Sequence, residues 1–83
     1  MSITKNLSKS VVAAIGKADQ LRDEGSLDAA IAAYLELVKT HPDLAEVHYK
    51  LGTGYMRAGR DAEAEASLRT AIDLNPEYPE AAN

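Results

Sequence analysis

Several residue types that would narrow the function of a small protein are missing from this chain. Its 83 residues include no cysteine, tryptophan or phenylalanine. Without cysteine the chain forms neither a disulfide nor a thiolate metal site, and this length allows one small domain at most. No apolar run is long enough to span a membrane: the longest, Ala29 to Leu35, has seven residues, and Val11 to Ile15, nearer the start, is too short to form a signal-peptide core. The sequence therefore predicts no cofactor and no membrane contact, and the lack of a targeting segment favours the cytoplasm.

Charge is distributed unevenly along the chain. Residues 1–18 contain three lysines and no acidic residue, whereas residues 19–83 hold all 13 acids and the remaining six bases. Nucleic-acid phosphates are bound by basic surfaces, so this acidic body argues against a nucleic-acid partner. A basic protein partner is compatible with it, although an acidic surface commonly serves only solubility.

The sequence repeats itself when it is shifted by 34 residues. Between residues 11–44 and 45–78 four pairs of identical residues then coincide, at breaks and at small positions: Gly25 with Gly59, Ala30 with Ala64, Ala32 with Ala66, and Pro42 with Pro76. A fixed period of this length is typical of a helical repeat in which neighbouring copies bury a shared core. The chain is therefore predicted to contain two copies of one helical unit.

Local signals predict four helices, over about residues 10–24, 27–40, 44–58 and 61–74. Gly25 and Gly59 are expected to end the first and third helices, because glycine accepts the left-handed conformation that follows many helices. Pro42 and Pro76 stop the second and fourth, since the residue before a proline resists the α conformation. No segment shows the alternation of a strand.

The starts of the later helices carry capping signals. Ser26 is expected to cap the second helix, and Asp43 with Glu46 to form a capping box at the start of the third. Pro79 suggests the first turn of a truncated fifth helix. The predicted organisation is a flexible lead-in at 1–9 followed by one domain at 10–83, with repeats at about 11–44 and 45–78 and the truncated helix at 79–83.

The second copy resembles the tetratricopeptide repeat. It matches the size pattern of that family at Leu51, Gly52, Tyr55, Ala64, Leu68, Ala71 and Pro76. The first copy fits more loosely, at Ala14, Ala18, Leu21, Ala30, Tyr34 and Pro42. Three positions depart from the pattern: Lys17, where the family has a large apolar residue, His48, where it usually has Trp or another apolar residue, and Asp61, where it usually has Tyr or Phe. Because Lys17 suits a solvent-exposed helix face, the first copy is expected to be an N-terminal end repeat.

The resemblance implies an all-α fold of tandem antiparallel helical hairpins, a fragment of a right-handed α-solenoid. In such arrays the first helix of each hairpin lines a concave groove. By that family geometry the groove positions here are Val12, Ile15, Asp19, Arg22, Glu46, Tyr49, Thr53 and Met56. The predicted partner-binding site takes Ile15, Asp19, Arg22, Tyr49, Thr53 and Met56 from these positions and adds Lys50. Ile15, Tyr49 and Met56 would hold an apolar side chain, and Asp19, Arg22 and Lys50 would pair with charges. The competing interpretation is that Ile15 and Met56 only pack.

The resemblance implies a non-catalytic module that binds a protein or peptide. An apolar edge on the fourth helix, formed by Leu68, Ala71 and Ile72, suggests self-association as a second mode. As an alternative, the chain is the N-terminal repeat fragment of a larger bacterial enzyme, such as a glycosyltransferase or methyltransferase. A purely structural pair of hairpins without an external ligand is a third possibility.

Other candidate sites are weak. The chaperone-binding members of the family grip a carboxylate with basic side chains, but the corresponding positions here are Ile15, Asp19, Lys50 and Glu80. A glycine pair at Gly52 and Gly54 falls within a helix, where it cannot cradle phosphate. His41 and His48 have no third strong metal ligand fixed nearby, so a metal site is not expected.

Overall fold

The computed structural model describes residues 9–76, which form four α-helices. They are α1 (Lys9–Asp23), α2 (Leu27–Thr40), α3 (Ala45–Arg57) and α4 (Asp61–Leu74), and no strand occurs within this range. The predicted all-α fold is confirmed. The bounds of α2 and α4 are those predicted, and α1 and α3 differ from prediction by one residue at each end. Most of the predicted lead-in and the whole truncated fifth helix lie outside the described residues.

The first helix of each hairpin ends in the same way. Gly25 and Gly59 have positive φ angles of 89° and 78°. After α1 the N–H of Ser26 donates to the carbonyl of Leu21 at 2.9 Å, and after α3 the N–H of Arg60 donates to the carbonyl of Tyr55 at 2.8 Å. The N–H groups of Gly25 and Gly59 also donate, each at 3.1 Å, to the carbonyls of Arg22 and Met56, and the two bonds at each turn form a Schellman motif. The two glycines therefore end these helices as predicted.

The predicted side-chain caps are wrong. Ser26 precedes α2 but makes no side-chain cap bond, and its carbonyl accepts the N–H of Ala30 at 2.9 Å instead. The residue that caps α3 is Leu44, in an extended conformation and without a side-chain bond. Asp43 consequently lies one residue outside the cap position, and Glu46 falls too early in the helix for the reciprocal bond of a capping box.

Small residues bring the helices of each hairpin together. Ala18 of α1 and Ala30 of α2 are both fully buried in the shared core. In the second hairpin a Cβ atom added to Gly52 would lie 2.7 Å from the side chain of Leu68 and 3.3 Å from the carbonyl of Ala64. Any larger residue at this position would therefore require Leu68 to move where α3 meets α4.

The helices pack in chain order, so that α3 lies between α2 and α4. A Cβ on Gly54 of α3 would lie 3.4 Å from Ile31 of α2, an ordinary contact distance. Tyr34 and Val47 are the largest fully buried side chains of the shared core. This packing places α1 and α3, the first helices of the two hairpins, side by side on one surface.

Candidate partner-binding surface

Two ion pairs fix the register of α1 against α3. The ammonium of Lys50 lies 3.0 Å from Asp19, and the guanidinium of Arg57 lies 3.9 Å from Asp23. Asp19 precedes Asp23 in α1, and their partners Lys50 and Arg57 follow in the same order in α3. The two helices therefore run parallel. We call the surface that these helices form together the groove surface, and its residues are the predicted groove positions.

Asp19 is the centre of the groove surface. One carboxylate oxygen accepts a hydrogen bond from the buried hydroxyl of Tyr34, and the other accepts one from Lys50 at 3.0 Å. The guanidinium of Arg22 lies 3.7 Å from the same carboxylate. Burial, and then the hydrogen bond to Asp19, raise the pKa of the Tyr34 hydroxyl far above its ordinary value. One carboxylate thereby connects α1, α2 and α3.

The predicted charged residues are therefore brought together, but they pair with one another. Lys50 also lies 3.9 Å from Glu46, and Arg22 also lies 3.4 Å from Asp23. The side chains of Lys50 and Arg22 are only 18% and 17% exposed. A charged ligand would have to displace these internal partners, which reduces the gain from pairing with it.

The uncharged predicted residues have different environments. Met56 is 55% exposed near the end of α3, whereas Ile15 is 8% exposed and belongs to the hydrophobic core. Tyr49 and Thr53 are half-buried, and the Thr53 hydroxyl donates to the carbonyl of Lys50 at 2.8 Å. Val12, a predicted groove position, is 54% exposed near the start of α1. Met56 and Val12 thus offer more apolar surface than Ile15, which packs inward.

The predicted self-association edge on α4 is only partly at the surface. Ala71 is fully buried, and Leu68 and Ile72 are half-buried, with Leu68 packed against Gly52. The most exposed large apolar residue of α4 is Leu74, at 41%. The edge therefore presents less apolar surface than the sequence pattern indicates, because most of it faces α3.

His48 has a structural role. It is 8% exposed, and its Nε2 atom lies 2.9 Å from the carbonyl of Pro42 in the loop between the hairpins. Within residues 9–76, no group of three His, Cys, Asp or Glu side chains is arranged to hold a metal ion. In the same range, no helix is long and apolar enough to cross a membrane.

Two shallow depressions repeat at the 34-residue period. One lies between α1 and α2, and its residues Lys17, Leu21 and Ala33 correspond to Leu51, Tyr55 and Ser67 of the other. The second depression is also bordered by Leu35 and Val38 of α2. Since the same hollow arises in both copies, it is a product of hairpin packing and not a separate ligand site.

The sequence pattern did not identify Tyr34 as part of the site. Its family position predicts only a large side chain that fills space, and the structure shows its hydroxyl bound to Asp19, 15 residues earlier. A buried phenol hydroxyl needs a hydrogen-bond partner. The hydroxyl that distinguishes Tyr34 from a phenylalanine was therefore the available signal. The ion pair between Asp23 and Arg57 was also missed.

The four helices define a helical-repeat module built of two antiparallel hairpins. Family comparison agrees: residues 18–59 match a profile described as TPR repeat, and residues 45–78 match a tetratricopeptide repeat profile. The chain therefore belongs to the tetratricopeptide repeat family. Repeats of this family generally mediate protein–protein interaction and are typically non-catalytic. No match was found among curated proteins.

Proposed function

We propose that the chain binds a peptide or protein segment across the groove surface, with Val12, Tyr49 and Met56 as its apolar contacts. The observation that supports this most is the exposure of Val12 and Met56, each over half accessible. Val12 lies near the start of α1 and Met56 near the end of the parallel helix α3, so a segment lying on the surface meets both. A flexible methionine adapts to varied partner side chains.

The paired charges between these contacts define the chemistry of the partner. Lys50 and Arg22 are already paired with Asp19, and also with Glu46 and Asp23 respectively, so a partner gains little from opposing any one of these charges. The proposed partner therefore presents apolar side chains at both ends and uncharged polar groups at the centre, where the Thr53 hydroxyl, which donates to the carbonyl of Lys50, can still accept a hydrogen bond. It does not rely on a terminal carboxylate.

The test uses a displayed library of random peptides, panned on the 83-residue chain, followed by affinity measurement of the selected peptides. Met56→Lys and Val12→Lys are each expected to weaken binding at least about tenfold, or 1.4 kcal/mol. Leu35→Lys is the matched control, because Leu35 is also exposed, at 40%, but belongs to α2.

Two results would contradict the proposal. One is the failure of any peptide to be selected by the folded chain. The other is a set of peptides whose binding depends on Leu35 and not on Met56 or Val12. Circular dichroism of each variant separates lost binding from lost folding.

A further inference from the structure

The outer face of α1 is polar at the positions where its counterpart α3 is buried against a preceding helix. We call this the N-terminal end face: Ala13, Lys17, Gln20 and Glu24. The residues 34 positions later are Val47, Leu51, Gly54 and Ala58. All four residues of the end face are exposed, whereas three of their counterparts are buried and Ala58 is half-buried. Gln20 and Glu24 also hydrogen-bond to each other at 3.0 Å.

Two positions on the outer face of α4 show the same change, although a third, Ile72 in place of Val38, stays apolar. The helix equivalent to α4 is α2, whose Ile31 is 3% exposed against Gly54 of α3. In α4 the position of Ile31 is taken by Glu65 and that of Leu35 by Arg69. These two residues are exposed and form an ion pair at 2.9 Å. We call Glu65 and Arg69 the C-terminal end face.

We propose that the two end faces prevent one copy of the chain from stacking end to end on another, which leaves the chain monomeric and its groove surface as the place for a partner. If α4 of one copy packed on α1 of a second as α2 packs on α3, Glu65 would take the place of Ile31. Gln20 would take the place of Gly54, where even a Cβ atom already reaches contact distance. The contact would bury a carboxylate and force two side chains into a space that fits one.

A second obstacle is electrostatic. Leu35 and Leu51 border the same depression between α2 and the second hairpin. At the end faces these two positions are occupied by Arg69 and Lys17, so stacking would bring two cations together where the interior brings two leucines together. Like charges in a partly desolvated contact oppose association. End-to-end stacking would use a different contact from the self-association predicted for the α4 edge. The proposed role of the end faces does not depend on peptide binding at the groove surface.

The test restores the interior residues at one end face at a time. The first variant, Lys17→Leu with Gln20→Ala, repairs the N-terminal end face. The second, Glu65→Ile with Arg69→Leu, repairs the C-terminal end face. The mass of each is measured by sedimentation equilibrium over a wide concentration range. The wild type and each variant alone are expected to stay near 8.9 kDa, because any stacking contact still includes one unrepaired face.

Mixing the two variants is the decisive measurement. The mixture is expected to form a one-to-one complex of twice the monomer mass and no larger species, because its two outer faces remain polar. A chain with all four substitutions is expected to form open-ended assemblies, as a contact between two different faces does when it does not close. A self-associating wild type would overturn the proposal. So would a mixture of folded variants that stays monomeric, or a single variant that associates with itself.

Discussion

The first helices of the two hairpins share a motif and differ in their surroundings. In α3 six residues are buried, because the helix has α2 on one side and α4 on the other. In α1 three residues are buried, and within the described residues only α2 covers it extensively. Equivalent positions therefore carry leucine in one copy and lysine in the other. A repeat position specifies a residue type only together with the neighbour that covers it.

The largest effect is expected when each of two equivalent positions, Leu51 and Lys17, is given the residue of the other in a separate variant. Leu51→Lys places a charge at a position that is 3% exposed, so the free energy of unfolding is expected to fall by at least about 3 kcal/mol. Lys17→Leu changes an exposed position and is expected to alter it by less than about 0.5 kcal/mol. Urea denaturation measures both, and equal losses would mean that the two positions are not differently covered.

Alanine substitutions at two glycines of α3 compare how tightly its two sides are packed. Gly52→Ala forces a contact of 2.7 Å with Leu68, whereas Gly54→Ala places its methyl group 3.4 Å from Ile31. Both substitutions gain the same helix propensity, about 1 kcal/mol, so this gain cancels in their difference. Gly52→Ala is expected to be less stable than Gly54→Ala by about 1–3 kcal/mol in denaturant unfolding. The reverse order would show that α3 is packed more tightly against α2.

A smaller loss than at Leu51 is expected at Tyr34, whose counterpart in the second copy is Leu68. Tyr34→Phe removes the hydrogen bond to Asp19 and should lower the free energy of unfolding by about 1 kcal/mol. In an Asp19→Asn background the same substitution should cost less, because the carboxylate acceptor is already gone. Additive losses in this double-mutant cycle would mean that the two groups are not coupled.

The raised pKa of Tyr34 adds a pH dependence that the second copy lacks. The folded chain holds the phenolic proton above the ordinary pKa of 10.0. The stabilisation is therefore complete below about pH 10, where the unfolded chain is also protonated, and is lost as the pH rises towards the folded pKa. Above about pH 10 the wild type should lose stability more steeply than Tyr34→Phe. Parallel curves for the two proteins would count against this assignment.

The architecture was predictable from sequence because it depends on local punctuation and residue size. Gly25, Gly59 and Pro42 act through their own backbone constraints, and Gly52 through the bulk it lacks. Asp43 was mispredicted because a cap depends on where the helix begins, to a single residue. Ser26 does occupy the cap position of α2, but its side chain makes no cap bond. Contacts between helices were harder still: the bond from Tyr34 to Asp19 requires the hairpin to be folded first. The burial of Ile15 likewise follows from packing and not from its place in the pattern.

The position of α3 between two other helices also affects how early its backbone opens. Local opening begins where few buried contacts hold a segment and reaches the best-packed segment last. The backbone amides of α3 are therefore expected to exchange with deuterium more slowly than those of α1. A partner bound across the groove surface would contact both α1, which opens early, and α3, which opens late. Binding is therefore expected to slow deuterium exchange most in α1.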